Sequence, residues 1–454
     1  MNKRNNLLEG KILPVLLRLS APLMGTAFVQ MAYSLTDIIW IGRTGTNPVA
    51  ASGTVGILIW FANALMLIPR VGMSIRSSQA YGAGNIEGTK KSFRNGIQLA
   101  VIMSTTLALI MLIFRKNIIG FFGLTAEVEK LAIDYLMIIA IGFFFSLVNP
   151  ILSATYNSMG NSITPFRMNV IGLVLNIILD PVLIFGMGSI PGMGIIGAGV
   201  ATAFSQLVVT VLFVILIYRE KGLVYRSGLL KYPDSEEMIM IIRLGSPSFY
   251  QSGIHSAVTM VLNRYMAMFG AVPVAVYSVG SMIESVSWMT TDGFSSAISA
   301  FTGQNYGARY FERIREGFRL SVIIVTILGL IVTAAFFLFG DPLYRIFLPG
   351  DEEAIALGVK YLMILGVSQV FMTIEIACTG VYNGIGEPKI PGIIGIIFNV
   401  IRIPLSLILM PFYSVLGVWI AITVSTIIKG VVSLSILRGK VKRLGHKPAI
   451  EKSN

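Results

Sequence analysis

Uninterrupted apolar runs set the pattern of this chain, in place of the alternating or striped apolar positions of a water-soluble fold. Residues 97–114 (IQLAVIMSTTLALIMLIF) and 321–340 (SVIIVTILGLIVTAAFFLFG) carry no charge. About eighteen such residues, wound as a helix, cross a hydrocarbon core of about 30 Å. The pattern predicts twelve helices, over 13–42, 47–80, 88–115, 125–157, 162–188, 193–219, 236–269, 272–305, 310–339, 351–383, 388–412 and 416–438. Clusters of Gly, Pro and Asn mark most joints, as in SMGNSITP (158–165) and GIGEPKIP (384–391). The longest polar interruption, 220–237 (EKGLVYRSGLLKYPDSEE), leaves six helices on either side. The expected fold is an all-α integral membrane protein of 12 transmembrane helices. Its expected parts are a six-helix lobe over 1–219, a cytoplasmic linker over 220–237, and a second six-helix lobe with a basic tail over 238–454.

The two halves repeat. Arg18-Leu19-Ser20-Ala21-Pro22 matches Arg243-Leu244-Gly245-Ser246-Pro247, and Gln79-Ala80-Tyr81-Gly82-Ala83 matches Gln304-Asn305-Tyr306-Gly307-Ala308, both at an offset of 225. Tyr135-Leu136-Met137-Ile138 recurs as Tyr361-Leu362-Met363-Ile364, and Asn157, Gly160 and Pro165 recur as Asn383, Gly386 and Pro391, both at an offset of 226. Four blocks in order at nearly constant offset indicate a duplication. Six helices per half is an even number, so both halves are expected to enter the membrane in the same sense. They should be related by a pseudo-twofold along the membrane normal, with a cavity between them.

Composition sharpens this reading. The chain is 55 % hydrophobic and 13 % charged, against about a quarter charged in soluble domains. Its net charge of +13 forms no continuous basic face, which argues against nucleic acid. With the N-terminus placed in the cytoplasm, the outside loops hold Arg43, Arg115, Lys116, Lys130 and Arg345, and the inside segments outnumber them about four to one in Lys and Arg. Both termini are therefore expected in the cytoplasm, with the chain in the plasma (inner) membrane. The polar start (MNKRNNLLEGK) and the lack of a small-residue cleavage site predict no signal peptide. The single cysteine, Cys378, excludes a disulfide framework, and His255 and His446 share no metal-ligand spacing.

Ionisable residues inside the predicted spans are the functional candidates, because each costs at least about 2.5 kcal/mol at a helix centre unless it faces a cavity or a partner. Gln30, Tyr33 and Asp37 share one face of the first helix, and Asn176 and Asp180 one face of the fifth. Together they can form a polar cluster. Two close carboxylates do not readily both ionise, so the pair would bind a proton near neutral pH; oxygen ligands of this kind can also hold sodium. The plainer alternative has Asp37 facing outside water and Asp180 capping or pairing. Glu284 and Asp292 fall in the eighth helix, with Ser287 and Trp288 at helical spacing from Glu284. Glu375 falls in the tenth, one turn before Thr379. Arg70, Arg264 and Arg402 are also inside spans and can neutralise such acids in structural ion pairs. The duplication does not extend to the acids: Leu262 stands opposite Asp37, and aligning Asn176 with Asn399 sets Ile403 against Asp180. Ion chemistry is thus expected in the first half. Pro22 interrupts the backbone bonding of the first helix and marks either a packing kink or a hinge. Gln30, Asn157, Glu284, Trp288 and Glu375 are candidates for a substrate or second-lobe site. The 22 methionines and 26 phenylalanines are compatible with an adaptable apolar pocket.

The LSAP of the first helix followed by Asp37, the QAYGAG turn (79–84), the LNIILDP segment (175–181) and the six-plus-six duplication resemble the multidrug and toxic compound extrusion (MATE) family over nearly the whole chain. The resemblance implies a cation-coupled exporter with alternating access between two lobes. It implies that Tyr33, Asp37, Asn176 and Asp180 match the first-lobe ion site of the DinF-like branch, with Thr202 as a further member, and that bending at Pro22 couples protonation to release. The glutamate of the seventh helix that marks the NorM-like branch is missing; that helix has His255, Asn263 and Arg264, and Glu375 is only a partial counterpart.

The expected function is a secondary antiporter exporting amphipathic, mostly cationic drugs in exchange for H+ or Na+, with no cofactor, working as a monomer in contact with membrane lipid. A flippase for lipid-linked sugars is the alternative, for which Arg70, Arg264 and Arg402 could meet phosphate. No nucleophile–base pair supports an enzyme, and no GxxxxGK[ST] loop supports ATP-driven pumping.

Overall fold

The computed structural model describes residues 7–445, without the side chain of Ile190; Lys3, Arg4, His446, Lys447 and Lys452 lie outside the described residues. The helices are α1 (Ile12–Gly42), α2 (Thr46–Leu65), α3 (Leu67–Gly82), α4 (Ile86–Ile113), α5 (Arg115–Gly120), α6 (Ala126–Ser158), α7 (Ile163–Phe185), α8 (Ile195–Glu220), α9 (Leu223–Arg226), α10 (Ser235–Ala267), α11 (Ala271–Gly307), α12 (Phe311–Phe347), α13 (Glu352–Gly366), α14 (Gln369–Gly384), α15 (Lys389–Val400), α16 (Arg402–Tyr413) and α17 (Val415–Arg443). Apart from the short α5 and α9, these account for the twelve predicted spans, three of them broken in two. Nine of the spans are long and apolar enough to cross a membrane by composition alone, ten with the bent pair α13 and α14. The other two are α10 and α11, whose apolar runs are diluted by Arg243, His255, Asn263 and Arg264 and by Glu284 and Asp292. Large side chains such as Ile113, Ile331 and Leu338 stand exposed on the helices, as lipid contact requires.

Two of the breaks follow from proline. A proline ring clashes with the carbonyl four residues back and has no N–H to bond it. Pro69 acts on Leu65, where α2 ends, and Pro404 acts on Val400, where α15 ends. The third break is a 50° bend between α13 and α14. Across Pro22 α1 remains continuous. The predicted end of the ninth span at Phe339 is a non-helical residue inside α12, after which the helix resumes to Phe347. Beyond α7 a hairpin of Gly186–Met187 and Ile190–Pro191 replaces the last predicted turn.

Two compact units emerge, and their bounds depart from a division at the polar segment. One unit holds residues 25–249; the other holds 7–24 and 250–445. Each thus contains the opening stretch of a helix whose remainder lies in the other unit, and the changeover falls just after the repeated prolines, Pro22 and Pro247. In the first unit, α3 and α10 pack backbone to backbone. A Cβ on Gly72 would lie 2.0 Å from the Ile241 carbonyl oxygen, and one on Gly245 would lie 1.9 Å from that of Ile68. In the second unit Gly293 of α11 gives the same clearance to the backbone of Met24 in α1, at 2.8 Å.

Polar clasps hold both stretches. Arg76 donates twice to Glu237, at 3.1 and 2.7 Å, and the Ser92 hydroxyl donates to the same carboxylate at 2.6 Å. Gln98 donates to the carbonyls of Leu229 and Lys231. Lys91 pairs with Asp234 at 2.8 Å, and its ammonium holds that half-buried carboxyl below the usual carboxylate range. In the second unit Arg313 donates to the carbonyls of Leu7, Glu9 and Gly10. Residues 229–237 of the polar segment are therefore bonded to α3 and α4.

Candidate functional site

Inside the first unit, α1, α7 and α8 bring five of the expected residues together. Tyr33 and Asp37 are one turn apart on α1, and Asn176 and Asp180 one turn apart on α7. The Asn176 amide nitrogen donates to Asp180 Oδ1 at 3.1 Å, to Asp37 Oδ1 at 3.4 Å and to Thr202 Oγ1 at 3.4 Å. Thr202 of α8 donates in turn to Asp37 Oδ2 at 3.3 Å. Asn176 and Asp180 have no solvent exposure. The Tyr33 hydroxyl, Asn176 Oδ1 and Asp180 Oδ2 are enclosed without a hydrogen-bond partner. Unsatisfied buried acceptors are costly, and a proton or a cation among these oxygens would satisfy them. Among the described residues no group of three or more His, Cys, Asp or Glu is placed to hold a metal.

Two members of the site were not singled out from sequence. Gly172 lies one turn before Asn176, and a Cβ there would fall 2.4 Å from the Tyr33 oxygen. Its spacing on the Asn176 face was the available signal. Tyr135 of α6, almost fully buried, lies within electrostatic reach of both carboxylates; it is part of the repeated Tyr-Leu-Met-Ile block.

The remaining candidates lie apart. Gln30 is exposed on α1 and outside the hydrogen-bonded cluster. Asn157 sits at the end of α6, where its carbonyl accepts from Gly160 in the turn. In the second unit the Gln369 amide donates to Glu284 at 2.9 Å, while Trp288 and Asp292 are exposed. Glu375, buried, pairs with Lys429 of α17 at 3.4 Å. Lys429 was missed in sequence, although a lone Lys in an apolar run was the signal. Arg402 takes no part in an ion pair within 4 Å among the described residues. Its Nε donates to Ser425 Oγ at 2.8 Å and its Nη2 to Thr426 Oγ1 at 3.0 Å.

Comparison with known proteins gives a consistent picture. The sequence profile of the MatE family matches residues 22–182 and 247–408. A "Probable multidrug resistance protein NorM" of Thermotoga maritima is 27 % identical, over 92 % of this chain and 90 % of that protein. A "FAD transporter" of Shewanella oneidensis is 23 % identical over 95 % of both chains. A solved structure described as the outward-facing conformation of a multidrug resistance MATE family transporter of the MOP superfamily superposes with a TM-score of 0.91 at 25 % identity, covering 98 % of this chain and 99 % of that one.

Proposed function

The chain belongs to the MatE family of membrane transporters, and from that premise we propose that it is a proton-coupled antiporter exporting amphipathic, mostly cationic drugs by alternating access. The observation that carries the coupling is the single Asn176 amide nitrogen shared between Asp37 and Asp180. Its N–H groups face both carboxylates, and its own oxygen is unpartnered. A sodium ion bridging the two Oδ1 atoms would have to displace the amide N–H groups that point there. A proton on Asp180 Oδ2 requires no rearrangement and converts the enclosed acceptor into a donor. That chemistry supports H+ over Na+. Tyr33 and Thr202 complete the site as in the DinF-like branch, and Pro22 is the proposed hinge.

In the cycle, a proton entering from outside neutralises the pair and an organic cation leaves. The proton's release to the cytoplasm restores the anion for the next cation. The proposed setting is the plasma membrane, with both termini cytoplasmic and one chain as the working unit. The test is dye efflux in vesicles driven by an imposed proton gradient or an imposed sodium gradient. Wild-type efflux driven by the proton gradient alone, lost in Asp37→Asn and Asp180→Asn, is the expected result. Efflux driven only by sodium would overturn the proton assignment.

A further inference from the structure

The second unit carries a charge of the opposite sign one residue before the repeat of the Asp180 position, which is Ile403. Asn176-Ile177-Ile178-Leu179-Asp180-Pro181 aligns with Asn399-Val400-Ile401-Arg402-Ile403-Pro404. Where the first copy places a carboxylate four residues after its asparagine, the second places a guanidinium three residues after. Arg402 is the first residue of α16, at the break that Pro404 imposes, and is 7 % exposed.

No carboxylate among the described residues lies within 4 Å of it, and Glu284 and Glu375 act on it only from farther off. The hydrogens of Ser425 and Thr426 are spent on the Ile422 carbonyl, at 2.9 and 2.8 Å, so their lone pairs are turned to Nε and Nη2 of Arg402. Two hydroxyls orient a guanidinium but supply no counter-charge. Nη1 makes no hydrogen bond among the described residues, the bonds of Arg402 running from Nε and Nη2. One turn further along α17, on the same face, stands Lys429. Its contact with Glu375 is 3.4 Å, well beyond the 2.7–2.9 Å or so of a settled charge-assisted bond. The other ionisable groups near the two cations are His255, Tyr277, Glu284 and Tyr361. Of these only Glu284 is an acid, and it accepts from Gln369. A purely structural arginine in a membrane protein would be expected to sit against a carboxylate or backbone carbonyls.

We propose that the second unit is an anion-recognition site, in which Arg402 Nη1 and Lys429 Nζ bind the carboxylate or phosphate of an amphipathic solute and Glu375 is the internal group that the solute displaces from Lys429. The site rests on the exporter reading only for its role in transport. It extends the substrate class to organic anions and zwitterions, and it commits to a dissolved solute over lipid phosphate.

The test uses the full-length protein in phosphatidylcholine nanodiscs and two matched probes, tetramethylrhodamine, which bears a free carboxylate, and its methyl ester, which is a cation. Arg402→Gln and Lys429→Met should each weaken the carboxylate probe about tenfold, the loss of one charge-assisted contact, and change the ester less than about twofold. Glu375→Gln, which frees Lys429, should tighten the carboxylate probe. That opposite sign stays readable if Arg402→Gln fails to fold. Equal losses for both probes, or no tightening in Glu375→Gln, would overturn the site. Loss of the carboxylate's advantage when phosphatidylglycerol is added would assign the site to lipid phosphate and overturn the solute. Because binding is read without a gradient, failure here leaves the Asp37–Asp180 coupling intact, and failure of Asp37→Asn to affect efflux leaves this site intact.

Discussion

Asn176 donates from one amide nitrogen to both Asp37 and Asp180, at 3.4 and 3.1 Å, and so ties a residue of α1 to one of α7. The two carboxylates cannot be read separately. Asn176→Leu keeps the volume and removes the shared donor. Proton-driven efflux is expected to fall at least as far as in Asp37→Asn, with normal amounts of folded protein by fluorescence-detected size exclusion. Thr202→Val, which removes one donor to Asp37, should cost less, about tenfold or under. Efflux from Asn176→Leu at the wild-type rate would show that the bridge is incidental.

Backbone proximity sets the second prediction. Gly245→Ala places a Cβ 1.9 Å from a carbonyl oxygen that no side-chain rotation can move, whereas Gly253 has nothing within 4 Å. Gly245→Ala should lower thermal stability in detergent by about 1–3 kcal/mol or more. Gly253→Ala should be neutral or slightly stabilising. Equal melting curves would mean that α3 and α10 separate easily.

The Lys429–Glu375 pair lends itself to a double-mutant cycle. Each partner is nearly buried, so Lys429→Met alone strands a carboxylate and is expected to cost about 3–5 kcal/mol. Lys429→Met with Glu375→Gln should be less destabilised than the sum of the two single changes. Simple additivity in thermal unfolding would show that the two side chains do not interact.

Asp234 gives a pH signature outside the membrane. Lys91 holds its carboxyl below the ordinary value, so the folded form releases the proton more readily than the unfolded chain. The pairing therefore contributes above the ordinary aspartate value of about 3.9 and is lost as pH falls through the lower folded value. Asp234→Asn should flatten the acid limb of stability against pH and leave the neutral region little changed. An unaltered acid limb would assign it to other carboxylates.

The apolar runs were sufficient to place all twelve spans, because in hydrocarbon every backbone group must be satisfied within its own segment and helices are the outcome. The breaks at Leu65 and Val400 were legible in principle, four residues before Pro69 and Pro404, but an apolar run gives no sign of them. Asp37, Asn176 and Asp180 stood out because charge and amide are rare in such runs. Gly172, which clears space for Tyr33, and Tyr135 did not, since their roles depend on neighbours hundreds of atoms away along the chain. The exchange of helix beginnings between the units was not legible at all. It is a tertiary choice, and the local sequence of α1 and α10 is compatible with either membership.

That exchange also bears on how the chain is made. Residues 7–24 leave the ribosome before the whole of 25–249, yet the unit they complete begins again only at Tyr250. The leading segment must therefore wait in the bilayer unmated while more than two hundred residues are inserted after it. The first unit in turn stays unfinished until 229–249 emerge. Neither half is a self-sufficient product of synthesis, and biogenesis proceeds with an open seam that closes only when the second half arrives.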